Sequence, residues 1–364
     1  MSAAPTLMVM AGGTGGHIYP GIAAAEALRG MGWNVVWLGT RNGMEARLVP
    51  PHGYTMAWLS LGGLRGKGWL RKLLLPLNLL IAFAQALKAI MRHRPDVLLG
   101  MGGYPSFPGG MMGVLLGKPL VIHEQNSVGG LANRVLACVA DRVLTGFPQA
   151  FTGAHDKPLP CGKVNATWVG NPVRASIAAL AAPSLSQPSR LRLLVVGGSL
   201  GAAVLNDTLP RALALLDAAE RPAVIHQSGG KHADALRAGY AAAGVSADVR
   251  EFITDMAEAY AGCDLAITRA GALTIAELAA AGVPAVLVPY PYAVDDHQTG
   301  NAHFLSDAGA AILLPQPELT PEKLAALLRS LTPARLFDMA QAARALAKPD
   351  ATDAVAQACK ALAR

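Results

Sequence analysis

Short apolar runs recur along the chain between stretches of helical spacing. In the first half they are Leu7 to Ala11, Asn34 to Leu38, Asp96 to Gly100, Leu120 to His123 and Arg142 to Thr145. In the second half they are Leu191 to Val196, Ala223 to His226, Asp264 to Thr268, Ala285 to Pro289 and Ala310 to Leu314. Strands this apolar, alternating with helices, belong to parallel sheets covered on both faces, so the pattern predicts a doubly wound α/β fold. The series restarts after Ala181 to Arg190, a stretch rich in Pro, Ser and Ala that reads as a connector between two such domains. From Thr320 the chain reads as helical, with Thr320 as a cap, Pro321 at the first position and alanine dominating as far as Arg364.

Each half also carries a glycine-rich turn directly after its first apolar run: Gly12-Gly13-Thr14-Gly15-Gly16-His17 and Gly197-Gly198-Ser199-Leu200-Gly201. A strand that ends in glycines and opens a helix presents unpaired backbone N–H groups at the positive end of the helix dipole, where phosphate binds. Two such units in tandem suggest two nucleotide-fold lobes facing a cleft.

A length of 364 residues, of which 52% are apolar, suits two buried cores. Cys138, Cys161, Cys263 and Cys359 form no CxxC or zinc pattern, so no disulfide framework and a reducing compartment are expected. Only Met1 to Thr6 precede the first strand, without a basic residue or a cleavage site, so no signal peptide is expected.

A dehydrogenase would need G-x-G-x-x-G, but the sixth position counted from Gly13 is Ile18, and the second strand ends Trp37-Leu38-Gly39-Thr40 without an acid for the ribose. A P-loop is missing too. The segment Arg269 to Glu277 follows the strand ending at Thr268, so its glycine and amides can meet a diphosphate. Glu277, an isolated acid in the apolar run Ala270 to Ala281, can accept from two ribose hydroxyls.

Taken together, Gly12 to His17, Gly102-Gly103-Tyr104, His123-Glu124-Gln125-Asn126, Gly170 to Arg174, Gly197 to Ala202, Gly271 to Thr274 and Asp296-His297-Gln298 through Asn301-Ala302 resemble the MurG family of bacterial cell-wall enzymes. The resemblance runs from about Leu7 to about Ala363. It implies a GT-B fold of two Rossmann-like domains: residues 1–173, bound to acceptor and membrane, with a helix of about 349–364 packing back on it, and residues 174–348, bound to UDP-GlcNAc. It also implies transfer of GlcNAc from UDP-GlcNAc to undecaprenyl-pyrophosphoryl-MurNAc-pentapeptide, lipid I, which gives lipid II. Carried over by motif, Arg174 and the backbone of Ile253 contact uracil, Ser199 holds phosphate, and Ala272, Leu273 and Thr274, continued by Ile275 and Ala276, line the diphosphate. Glu277 binds ribose, Gln298 and Asn126 bind the sugar, Thr14, Gly15 and Gly16 face both substrates, and Tyr104 and Glu124 meet the acceptor. The sequence departs from the family pattern at Pro105 and Phe107, which leave fewer backbone donors for the acceptor pyrophosphate, and at His297, where relatives often have a glutamine.

Displacing UDP requires a base for the incoming hydroxyl, stabilisation of developing positive charge on the sugar and donors for the departing diphosphate. His17 at the end of the first glycine turn is the favoured base, with Glu124 as its rival. No Asp-x-Asp metal pair occurs, so no metal or cofactor is expected, and amides and helix N-termini take that role. An epimerase on the same fold would share the UDP site without needing a membrane surface, whereas an exported binding protein would need a signal.

Between Ala46 and Pro95 there is no acid, yet there are eight basic residues, more than the whole chain's net +7. Within it, Leu73 to Leu87 carries no charge but is too short and broken to span a bilayer. A helix beginning near Pro76 would turn Leu77, Leu80, Ile81, Ala84 and Leu87 to the core and Leu79, Ala82, Phe83 and Ala86 outward. Arg71, Lys72, Leu79 and Phe83 are then expected to meet anionic lipid. The location implied is peripheral, on the cytoplasmic face of the inner membrane; no nucleic acid is expected as a partner, and other cell-wall proteins cannot be read from the sequence.

Overall fold

The computed structural model describes residues 4–60, 75–151, 159, 161–181, 190–198 and 201–363. The chain divides into two compact units, Met1–Arg174 with Lys348–Arg364, and Ala175–Ala347.

The first unit is built on seven strands in the order β3-β2-β1-β4-β5-β6-β7, all parallel. They are β1 (Thr6–Ala11), β2 (Asn34–Thr40), β3 (Thr55–Leu59), β4 (Val97–Gly102), β5 (Leu120–Glu124), β6 (Arg142–Thr145) and β7 (Ala166–Trp168). β1 shows why the strands read as unbroken apolar runs. Leu7, Val9 and Ala11 enter a core with Ile18, Leu28 and Trp37, while Met8 and Met10 enter another on the opposite face with Leu38, Leu98 and Ile122. The first core is closed by the helix Ala351–Lys360, whose Val355, Ala356 and Cys359 are fully buried in it.

The second unit holds β8 (Arg192–Val196), β9 (Ala223–Gln227), β10 (Asp248–Arg250), β11 (Leu265–Thr268), β12 (Ala285–Leu287) and β13 (Ala311–Leu313) in the parallel order β10-β9-β8-β11-β12-β13. Three strands escape a search for apolar runs: β3, β7 and β10, each an edge strand. An edge strand is covered less, and Thr55, Thr167, Asp248 and Arg250 break the apolar pattern. Asp96 and Asp264, read as strand residues, lie one position before their strands and accept from neighbours through their side chains, Asp96 from the Thr6 N–H at 2.7 Å and Asp264 from the Arg192 N–H at 2.8 Å. Thr320 caps the helix Pro321–Ser330 by accepting from the Lys323 N–H.

Two expectations are corrected. Cys138 and Cys161, 23 residues apart in sequence, are disulfide-bonded with their Cα atoms 5.6 Å apart, and the inference of a reducing compartment from unpaired cysteines falls with that. Cys138 follows the helix Leu131–Leu136 and Cys161 precedes β7, so the return of the chain to the sheet, rather than a local motif, brings them together.

The helix Leu75–His93 has the two faces expected of it, but they are exchanged. Ala82, Ala86 and Ile90 are buried, and Leu79 and Phe83 are partly buried on the same side, with the Phe83 ring 5.8 Å from that of Phe107. Leu77, Leu80, Ile81 and Met91 are exposed instead, Leu80 to 65%. Small residues face inward here because the helix packs closely against the neighbouring helix Ser106–Leu115. Arg71 and Lys72 lie outside the described residues.

This arrangement predicts that Ile90→Ala destabilises the chain by about 2–5 kcal/mol, whereas Leu80→Ala stays within about 0.5 kcal/mol of the parent. Urea unfolding of the two variants measures the difference, and equal costs would contradict the assignment of faces.

Candidate active site

In the first unit, three strand ends supply the chemistry. β1 ends in the glycine turn, and Gly13 takes φ +90°, a left-handed conformation natural to glycine. Thr14 is the N-cap of the helix Gly15–Gly30 but makes no side-chain capping bond, so the turn ends in helix N–H groups that no side chain caps. Thr14 is exposed, and Gly15, Gly16 and His17 are half-buried. At the end of β4, Gly102 and Gly103 both have positive φ, and a Cβ on Gly103 would lie 2.1 Å from the Gly12 carbonyl oxygen. A Cβ on Gly102 would lie 2.8 Å from His17 Nδ1, so glycines let this turn close against both the first turn and the histidine. Pro105, the N-cap of Ser106–Leu115, rests against Gly12, and Tyr104 beside it is half-buried.

The third strand end, β5, delivers His123-Glu124-Gln125-Asn126. The Gln125 side chain meets His17, with Oε1 2.7 Å from His17 Nδ1. Glu124, expected to meet the acceptor or to rival His17 as base, has both carboxylate oxygens engaged within its own loop. One of its oxygens accepts from the Asn126 N–H at 2.9 Å and from Asn126 Nδ2 at 3.3 Å, the other from the Gly130 N–H at 3.0 Å and from Asn133 Nδ2 at 2.9 Å. Buried and surrounded by four donors, this carboxylate shapes the 124–130 loop and orients Asn126.

A second carboxylate escaped the sequence reading. Glu45 is fully buried, and it accepts from the Thr40 N–H at 2.8 Å, the Thr40 hydroxyl at 2.7 Å and the Gly13 N–H at 3.1 Å. It thereby fastens the glycine turn to the end of β2, with Gly12, Gly39 and Gly43 leaving the room it needs. Its one sequence signal is an acid placed shortly after a strand whose own last residue is not acidic.

In the second unit, the helix Ala272–Ala281 begins at Gly271 with no side-chain cap, so its first amides have no side-chain partner there. Leu273, Thr274 and Ala276 are half-buried, whereas Ala272 and Ile275 point into the core and can offer backbone only. Glu277, one turn along, is buried and accepts from the Tyr260 hydroxyl at 3.3 Å, which orients it. Asn301 donates to the Ala270 carbonyl at 3.1 Å and holds the turn from behind. Arg269, in the same segment, donates to the Val288 and Pro289 carbonyls at 3.1 Å each and to Gln316 Oε1 at 2.7 Å, so it frames the turn.

Ser199 in the second glycine turn lies outside the described residues. Gln227, at the end of β9, links that turn to Ile253: its Nε2 donates to the Gly198 carbonyl at 3.0 Å, and its Oε1 accepts the Ile253 N–H at 2.8 Å. Gln298 Oε1 accepts the Tyr290 N–H at 2.9 Å, and His297 Nδ1 donates to the Val294 carbonyl at 2.7 Å, closing a loop in which Asp295 and Asp296 are both left-handed. Arg174 ends the first unit with its guanidinium 5.7 Å from the Tyr19 ring centre. Among the described residues no group of three or more His, Cys, Asp or Glu is arranged to hold a metal.

Two parallel α/β units with glycine turns at the carboxyl ends of their first strands are the architecture of GT-B glycosyltransferases. Residues 7–145 match the glycosyltransferase family 28 N-terminal domain and residues 192–357 its C-terminal domain. The chain belongs to glycosyltransferase family 28. It is 65% identical over 360 residues to a protein of Thiobacillus denitrificans named UDP-N-acetylglucosamine--N-acetylmuramyl-(pentapeptide) pyrophosphoryl-undecaprenol N-acetylglucosamine transferase, covering 99% of this chain and 98% of that protein. A relative of the same name from Aromatoleum aromaticum is 63% identical over 361 residues, covering 98% of each. The crystal structure of Acinetobacter baumannii MurG matches with a TM-score of 0.83 at 40% identity, over 98% of this chain and 99% of that one. A calicheamicin glycosyltransferase, 16% identical with a TM-score of 0.64, shares the fold alone.

Burial pushes the His123 imidazole down to about 4, against the opposing pull of the Gly170 carbonyl and the Glu124 charge. Between about 6.5 and about 4 the unfolded chain therefore carries a proton that the folded chain lacks, and stability falls as pH falls, by about 1.4 kcal/mol per pH unit for one such group. Urea unfolding across that window should show a shallower pH slope for His123→Leu. An unchanged slope would contradict the assignment of His123 as a buried neutral histidine.

Proposed function

We propose that this enzyme moves GlcNAc from UDP-GlcNAc to the 4-hydroxyl of undecaprenyl-pyrophosphoryl-MurNAc-pentapeptide, with inversion at the anomeric carbon. The observation that carries the reading is the 65% identity, spanning both units, to a relative named for that transfer. In this scheme the second unit holds the donor. Glu277 accepts from the ribose hydroxyls, the Ala272, Leu273 and Thr274 amides and Ser199 take the diphosphate, and Arg174 and the Ile253 backbone meet the uracil. Because the Ile253 N–H is engaged by Gln227, its carbonyl is the group left to pair with the base. Gln298 and Asn126 contact the sugar.

The first unit supplies the acceptor side through Thr14, Gly15, Gly16 and Tyr104. His17 takes the proton of the acceptor hydroxyl as the new C–O bond forms and the bond to UDP breaks. Glu124, saturated by its own loop, is not the base. The departing charge meets helix N-terminal amides, which is how the transfer proceeds without a metal or cofactor. UDP release should depend on lipid I, fall by about two to four orders of magnitude in His17→Ala with donor affinity retained, and Glu277→Ala should weaken UDP binding by about 1.5–3 kcal/mol. UDP release independent of lipid I would point to an epimerase-like or hydrolytic enzyme instead.

In this scheme the enzyme works as a peripheral protein at the cytoplasmic face of the inner membrane, where it reaches a polyprenyl acceptor. Among the described residues no helix is long and apolar enough to cross a membrane. The outward face of Leu75–His93, with Leu77, Leu80, Ile81 and Met91 beside exposed Lys88, Arg92 and Arg94, supports contact with anionic lipid. We expect salt-sensitive co-sedimentation with anionic vesicles, reduced in a variant combining Leu80→Ser, Ile81→Ser and Arg92→Gln that still binds UDP. Undiminished binding by that variant would remove this face from the scheme.

A further inference from the structure

Two backbone carbonyl groups fix the protons along a short polar chain that ends at His17. His123, fully buried on β5, has Nε2 2.9 Å from the Gly170 carbonyl oxygen. A carbonyl only accepts, so the proton sits on Nε2, and in the neutral ring Nδ1 is bare. Gln125 Nε2 lies 3.0 Å from that bare nitrogen and 2.9 Å from the His123 carbonyl oxygen. Both partners accept, so both amide hydrogens are used, and the orientation of the Gln125 amide is set. Its Oε1 is then the atom facing His17 Nδ1 at 2.7 Å, and that bond exists only if His17 carries its hydrogen on Nδ1. The Gln125 backbone is held as well, because Asn171 Nδ2 donates to its carbonyl at 3.0 Å.

We propose that Gln125 and His123 act as a positioning relay that holds His17 as the Nδ1–H tautomer and leaves its Nε2 lone pair for the acceptor hydroxyl. The proposal rests on His17 being the base. A neutral imidazole can carry its hydrogen on either nitrogen, and only one of the two forms can take a proton through Nε2. When Nε2 gains that proton, the Nδ1–H bond to Gln125 is retained and strengthened by the charge, so the same contact serves both stages. Among the described residues, Gln125 is the link that joins an acceptor for His17 to two donors for His123. Both side chains are buried, so they act through His17.

The test is long-range proton–nitrogen correlation NMR of the full chain with nitrogen-labelled histidine, at mildly alkaline pH. In the parent, His17 should show Nδ1 protonated and Nε2 bare, and His123 the reverse. Proton on His17 Nε2 in the parent overturns the relay without reference to activity or to any variant. In Gln125→Leu, His17 should become a mixture of tautomers, with kcat reduced by up to about 100-fold and the UDP-GlcNAc KM nearly unchanged. In Gln125→Glu, which keeps an acceptor towards His17 but no donor towards His123, His17 should remain Nδ1–H while His123 gains hydrogen on Nδ1, and kcat should recover in part. A His17 tautomer that does not respond to Gln125→Leu overturns the relay. A tautomer that responds while kcat holds leaves the relay standing and removes His17 as the base.

Discussion

Parallel pairing is the constraint on which the rest of this structure depends. When every strand in a sheet runs the same way, every strand hands over to its helix or loop at the same edge, and helix N-termini with their unpaired amides collect there. In the first unit this brings together the exits of β1, β4 and β5, and with them His17, Gly102, Tyr104 and the 123–126 segment. In the second it brings together the exits of β8, β9 and β11, and with them Gly198, Gln227 and the start of the helix that carries Glu277. Residues more than 100 positions apart, such as His17 and Gln125, become hydrogen-bonded neighbours because their strands end on one line.

Glycine turns alone would leave this edge loose. A turn free of side chains approaches phosphate well, but it has little to hold its own shape. The structure places buried polar side chains behind the turns: Glu45 behind the first and Gln227 behind the second. Both are almost fully buried, where an unmet donor is costly, so each turn has one conformation that satisfies its support. Asn301 behind the turn before Glu277, and Glu124 within the 124–130 loop, follow the same logic. Acids and amides that would draw attention as catalytic candidates thus divide into those that shape the edge and those that face outward from it.

Packing of the first unit also decides what its surface offers. Close packing of Leu75–His93 against Ser106–Leu115 puts alanines on the inner face, and leucines, isoleucine and methionine remain outside beside basic residues. The other core, on the opposite face of the same sheet, is closed by the last helix of the chain. One face of the unit is therefore completed by a segment from the far end of the sequence, and the other turns an apolar stripe to the solvent.

The sequence by itself determined what depends on local pattern. Unbroken apolar runs marked the strands buried on both faces, glycine after strand marked the turns at the strand ends, and an isolated Glu277 stood out from the apolar helix around it, because each signal is carried by a few adjacent residues. Three edge strands were not legible, since partial cover permits polar residues, and neither was the Cys138–Cys161 bond, which needs two chain segments to return to one place. Which side of Leu75–His93 faces inward was equally hidden, because residue size favoured the larger stripe while the helix it packs against follows later in the chain. Only the tertiary structure separated the surroundings of His17, Glu45, Glu124 and Gln125, since the donors and acceptors around each side chain are supplied by strands distant in sequence.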